Sequence, residues 1–209
     1  MKRIQFAIVS CLALVFASPL WAASEGTAGE EGPRAVIEST VNDIVHILEA
    51  RKDTSKMSAA DREAIRHAIQ GRFDYTAMAS RSLGRPWRKI DSDERAHFTE
   101  LFRELLERSY GNRLSGYKGQ KIVFENAEEK GDKARVKSTV IDGTRETPVE
   151  YRLHQTPTGW QVYDIRIEGT SMVRTFYQDF QSTLDNGNYQ TLVKTLQDKI
   201  ADLKGKEES

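Results

Sequence analysis

Four short stretches of period-two alternation, separated by tight turn signals, constrain this chain more than any other feature. Residues 121–126, 133–141, 149–155 and 160–167 mix β-branched and aromatic residues with polar ones at alternate positions, as strands do. Between them lie Glu129-Lys130-Gly131-Asp132, Asp142-Gly143 and Thr156-Pro157-Thr158-Gly159, which are turn chemistry. Parallel neighbours need a long crossover, so connections this short predict an antiparallel meander. One face carries Val136, Val140, Val149, Tyr151 and Leu153. The other carries Arg135, Lys137, Glu150, Arg152 and His154. One face is therefore expected to be wet and the other covered by helices.

The covering helices are legible on both sides of the meander. Ile37, Val41, Ile44, Val45 and Leu48 recur at helical spacing. Residues 61–70 and 73–83 predict two more helices, the second interrupted by Gly84-Arg85-Pro86-Trp87. Asp91 with Glu94 three residues on is a capping box. The helix it opens carries a wide apolar stripe of Phe98, Leu101, Phe102, Leu105, Leu106 and Tyr110. After the last strand Gly169 permits a sharp turn. Thr170 or Ser171 then caps a helix over 172–184, and a final helix spans 189–203. Helices, then strands, then helices define an α+β fold. Its expected form is N-terminal helices, a four-stranded antiparallel curved sheet and C-terminal helices, enclosing either a solid core or an apolar cavity.

The N-terminus reads as an export signal. Lys2 and Arg3 form a positive start, residues 4–20 an apolar stretch, and Leu20-Trp21-Ala22-Ala23 a cleavage region, with the cut after Ala22 or Ala23. Residues 24–32 are small, acidic and Gly-rich, and residues 204–209 are charged; both read as disordered. Residues 33–203 are expected to form a single domain of an exported protein. Ile8-Val9-Ser10-Cys11 loosely resembles a lipoprotein box, although the apolar run continues well past it. If Cys11 leaves with the signal, the mature chain has no cysteine, and disulfides, thiol chemistry and cysteine metal sites are excluded. Removing Lys2 and Arg3 leaves 29 basic residues against 31 acidic ones. No global basic field exists to recruit nucleic acid.

No catalytic constellation emerges. The four histidines, His46, His67, His97 and His154, show no metal-ligand spacing. Serine-nucleophile, Walker and dinucleotide motifs are absent from the sequence, and neither a metal nor a cofactor is expected. The acidic groups Glu125, Glu128, Glu129 and Asp91, Asp93, Glu94 read as a solvated turn and a helix start. Arg81, Arg85, Arg88 and Lys89 surround Trp87, an arrangement suited either to a pocket mouth or to a solvated loop with the indole in the core.

Two blocks carry a family resemblance. Residues 73–118 contain Leu83-Gly84-x-x-Trp87. Residues 149–199 contain Trp160-x-Val162-Tyr163-Asp164-Ile165-x-Ile167-Glu168-Gly169-x-Ser171. In combination they resemble the MlaC, or toluene-tolerance, family of periplasmic phospholipid-binding components of the Mla lipid transport system. Thr175-Phe176-Tyr177 departs from the family, in which many members carry Asn-Tyr-Arg. The resemblance implies a non-enzymatic carrier that maintains outer-membrane lipid asymmetry. Its implied partners are phospholipid, the substrate-binding ring of an inner-membrane ABC complex, and an outer-membrane lipoprotein–porin complex. A hopanoid-associated relative leaves the lipid open.

On that reading the expected tail contacts are Phe73, Met78, Leu101, Leu105, Tyr110, Val136, Val140, Tyr151, Leu153, Ile165, Met172 and Phe176. The headgroup candidates are Arg85, Arg88 and the helix start at Thr170 and Ser171. Two other classes stay open. One is an isomerase-type enzyme using Tyr151, Tyr163 and Asp164 as acid and base. The other is a ligand-free adaptor lacking a continuous cavity.

Overall fold

The computed structural model describes residues 31–208 apart from Ser55. The export signal and most of the leader lie outside the described residues. Six helices and six strands follow in order: α1 (Pro33–Glu49), α2 (Ala59–Ile69), α3 (Tyr75–Leu83), α4 (Ser92–Leu114), β1 (Lys121–Phe124), β2 (Glu128–Lys130), β3 (Lys133–Asp142), β4 (Arg145–Thr156), β5 (Gly159–Ile167), β6 (Thr170–Ser171), α5 (Met172–Asp185) and α6 (Tyr189–Glu208). The α+β order stands, but the sheet has six strands where four were expected. The four long strands are the predicted ones. The additions are β2, which lies in a stretch read partly as a turn, and the two-residue β6.

The named strands all pair antiparallel, in the order β1-β3-β4-β5-β6, with β2 also on β3. The β3–β4 ladder sets Val136 opposite Tyr151, and β4–β5 sets Tyr151 opposite Ile165. The register slips between Arg152 and Leu153, so β5 carries one extra residue there. That bulge keeps Val162, Ile165 and Ile167 on one face although their numbering breaks strict alternation.

Local chemistry sets most helix ends. Asp91 and Glu94 form the expected box, with Glu94 N donating to Asp91 at 2.9 Å and Asp91 N to Glu94 at 3.1 Å. A second box, Ser58 with Asp61, starts α2 two residues before the expected position. The turn at Gly84 has φ +71°, and a Cβ there would lie 2.7 Å from Cε2 of Tyr177. The family-departing Tyr177 therefore lays its ring against a position that only glycine leaves open.

The segment read as a tail from residue 204 is helical as far as it is described: α6 continues through Glu208. Lys204 bridges Glu104 at 2.9 Å, and Glu207 pairs with Arg62 and Arg108. Charge looked like disorder because the partners of these residues lie about a hundred positions away. Glu31, at the end of the presumed leader, is also held, by Arg72 at 2.7 Å and Ser39 at 2.8 Å.

The buried residues divide into three clusters. The largest joins α3, α4, α5 and α6 through Met78, Leu83, Phe98, Phe102, Leu105, Phe176 and Phe180, with Phe102 and Phe176 edge to face at 5.2 Å. A second seals one end of the sheet, where Val36 and Ile37 of α1 meet Ala134, Val136, Leu153, Trp160 and Val162. The third is small: Leu48, Met57 and Ile65 hold α1 to α2.

Candidate functional site

Between these clusters lies a cavity of about 910 Å³, partly open to solvent. α1 contributes Val41, Ile44 and Leu48 to its wall, and α2 contributes Ile65 and Ile69. The C-terminal half of α4 adds Leu106, Tyr110 and Leu114. The sheet supplies Ile122, Val140, Val149, Tyr151, Val162, Ile165 and Ile167 from its covered face. Phe73 is brought in by the segment before α3, which extends the edge of β5: Asp74 N donates to Val162 O, and Val162 N to Arg72 O, both at 2.9 Å. Such a wall suits an apolar ligand, recognised by shape.

Six of the twelve expected tail contacts line this space: Phe73, Tyr110, Val140, Tyr151, Ile165 and Met172. The other six do not. Met78, Leu101, Leu105 and Phe176 are buried in the α3–α6 bundle, and Val136 and Leu153 are sealed beneath α1. They share an apolar face with lining residues, but at their level a second element closes the gap. Missed lining residues come mainly from α1 and α2, whose apolar stripes were plain. What was lacking was any sign that they face the sheet across a space.

The headgroup candidates also lie off this wall. Arg85 and Arg88 are exposed on a short 3₁₀ turn, Arg85–Arg88, and Trp87 packs edge to face on Phe98 at 6.5 Å. At the start of α5, Ser171 is the N-cap and accepts from Arg174 N at 3.1 Å. Asp164 already occupies the anion position there. It accepts from Ser171 Oγ at 2.8 Å and from Val173 N at 3.3 Å. At this helix start Val173 N is thus taken by a buried carboxylate and Arg174 N by the cap hydroxyl.

The acid–base candidates separate in the same way. Tyr151 faces the cavity, where burial pushes its phenol up. Tyr163 is turned to the opposite face, between Arg81 and the ring of His154. Asp164 is absent from the cavity wall and is buried beneath α5, bonded to Ser171 and Val173.

One side of the cavity is polar. Arg62 of α2 lies 3.3 Å from Glu207 of α6, and Arg66 lies 3.2 Å from Glu107 of α4. Arg108 bonds Glu104 at 3.0 Å and also pairs with Glu207. Burial alone would raise the Glu104 carboxyl, but hydrogen bonds from Lys204 and Arg108 outweigh it and hold the group below its ordinary value. Burial and the neighbouring Glu107 push the Tyr75 phenol up. Among the described residues no cluster of His, Cys, Asp and Glu is placed to hold a metal, and no helix is long and apolar enough to cross a membrane.

A helix-covered antiparallel sheet beside a largely apolar cavity defines the α+β class of this protein. Comparison with known families is more specific: the model described as MlaC protein matches residues 38–198, and the chain belongs to that family. It is 22% identical over 191 residues to the intermembrane phospholipid transport system binding protein MlaC of Haemophilus influenzae, covering 88% of this chain and 89% of that protein. It is 25% identical over 167 residues to the toluene tolerance protein ttg2D of Pseudomonas putida, covering 78% of each. Among solved structures, a phospholipid-binding protein from Ralstonia solanacearum in complex with a phospholipid has a TM-score of 0.75 at 23% identity. The match covers 82% of this chain and 98% of that one.

Proposed function

We propose that this chain is a periplasmic lipid carrier that holds the acyl tails of a phospholipid in the cavity and moves it between membrane-bound complexes. The observation that carries this reading is the cavity of about 910 Å³ with apolar residues from helices on one side and sheet on the other. Two acyl chains hold on the order of thirty methylenes at about 0.8 kcal/mol each, or roughly 24 kcal/mol against water. Loss into the aqueous phase is negligible on that scale. A bilayer offers the tails nearly the same environment, so transfer to a membrane complex is close to balanced and docking can set its direction.

The tail contacts on this reading are Phe73, Tyr110, Val140, Tyr151, Ile165 and Met172 together with the α1 and α2 faces. An inner-membrane ABC complex with its substrate-binding ring and an outer-membrane lipoprotein–porin complex are the partners proposed from the family, and outer-membrane lipid asymmetry is the outcome. The test is native mass spectrometry and lipid extraction of the purified chain. Co-purified phospholipid, exchangeable with vesicles, is the expected result. A clean lipid-free protein that takes up no phospholipid from vesicles overturns the reading.

A further inference from the structure

The cavity wall is closed in two different ways. Along the sheet it is a continuous hydrogen-bonded ladder, and α1 packs directly on both α2 and β3. α2 has α1 as its close backbone neighbour, but toward α4 and α6 it is joined by long charged side chains. The seam is bridged by Arg62 to Glu207 and Arg66 to Glu107, with Arg108 tying Glu207 to α4. All five residues line the cavity.

We propose that this seam is the passage through which lipid enters and leaves, and that Arg62 and Arg108 hold the phosphate of the ligand there by exchanging Glu207 for it. The proposal rests on the lipid-carrier reading above.

Three observations lead to it. The ion pairs are sheltered: the side chains of Arg62 and Arg108 are each 18% exposed and that of Glu207 is 9% exposed. A charge so placed beside an apolar space is costly unless fully hydrogen-bonded. Glu207 is not fully bonded. Its Oε1 is buried and accepts no hydrogen bond, although Arg62 Nη1 lies 3.3 Å away. The clasp therefore has a weak point where a better acceptor gains. A phosphate diester brings a delocalised negative charge on two terminal oxygens, and guanidinium groups bind such oxygens in paired geometry. Finally, Lys204 and Glu207 stand beyond residue 198, where the family match ends. The clasp is built in part by this chain's own last turns of α6.

Opening here also requires no loss of sheet hydrogen bonds, because the seam lies between helices. The same wall carries Glu104, held between Arg108 and Lys204, so α4 and α6 remain joined when Glu207 lets go.

The test uses the full chain. Vesicles of phosphatidylglycerol carrying a minor fraction of tail-matched, phosphate-free diacylglycerol supply both ligands, and the loaded lipids are extracted and quantified. The wild type is expected to enrich phospholipid over diacylglycerol relative to the vesicle. Arg62→Gln is expected to lower that enrichment about tenfold, the scale of one charge-assisted hydrogen bond, while still loading diacylglycerol. Retained diacylglycerol separates this from misfolding. Glu207→Gln is expected to speed transfer to acceptor vesicles severalfold and to flatten its salt dependence.

Loading of both lipids in the vesicle ratio by wild type and Arg62→Gln alike overturns the phosphate site. A transfer rate and salt response unchanged in Glu207→Gln overturn the passage. If inorganic phosphate at millimolar concentration leaves the enrichment intact, the site belongs to the lipid phosphate. If it lowers the enrichment in wild type but not what remains in Arg62→Gln, free and lipid phosphate compete for these side chains as proposed; an equal loss in both places the anion effect elsewhere and overturns the assignment. Absence of any lipid in the wild type counts instead against the carrier reading itself.

Discussion

The α3–α6 bundle and the α1–α2 side of the molecule are built from similar amphipathic helices but end in opposite states. In the bundle, Phe98, Phe102, Phe176 and Phe180 interlock edge to face or at a tilt, with centroids 5.2 to 6.4 Å apart. On the other side, Val41, Ile44 and Ile69 point at Val140, Tyr151 and Ile165 across the cavity. The difference lies in how the helices are held. α3, α4, α5 and α6 pack on one another directly. α1 rests on the sheet at one end through Val36 and Ile37, and is fixed at the other by Leu48, Met57 and Ile65. Supported at its ends, it spans the middle. Identical apolar patterning thus gives a solid core where helix meets helix and a container where a helix bridges a concave sheet.

Truncation should separate the two regions most sharply. Phe102→Ala removes a fully buried ring from the bundle and is expected to cost about 3–5 kcal/mol. Chemical denaturation measures it, and a loss below roughly 1 kcal/mol would erase the contrast. Ile44→Ala on the cavity wall is expected to cost only about 1–1.5 kcal/mol, because its side chain has contacts on one side alone. The same variant should retain visibly less phospholipid through gel filtration. A stability loss like that of Phe102→Ala would mean that this side is also a packed core.

The smallest effect concerns the polar wall. Glu104 has its folded-state carboxyl value depressed by Lys204 and Arg108. Its contribution is therefore present above the unfolded value of about 4.3 and is lost as pH falls through the folded value. Partial exposure keeps this within about 1 kcal/mol. Denaturant midpoints measured between about pH 5 and pH 3 should fall less steeply in Glu104→Gln than in wild type. Equal slopes would show that the Lys204–Glu104–Arg108 bridge adds nothing to that wall.

Much of this architecture is present in the chain as read. The four long strands, the Asp91–Glu94 box, the Ser171 cap and the stripe on α4 all depend on neighbours within a few positions. The site was legible by composition only. Tyr151 and Leu153 occupy one face of one strand two residues apart, yet one lines the cavity and the other is sealed beneath α1. On α4, Leu105 and Tyr110 divide between bundle and cavity in the same way.

Periodicity states which face of each element avoids water, and turn residues state where the chain reverses. From those the sequence alone determined an antiparallel sheet covered by helices, and its motif words pointed to the family. Whether an avoided face meets another at contact distance depends on where helices far apart in the chain come to rest. Only the tertiary structure decided that α1 spans rather than fills. It also turned Tyr163 outward at a bulge, and brought Glu207 from the end of the chain to Arg62 near its start.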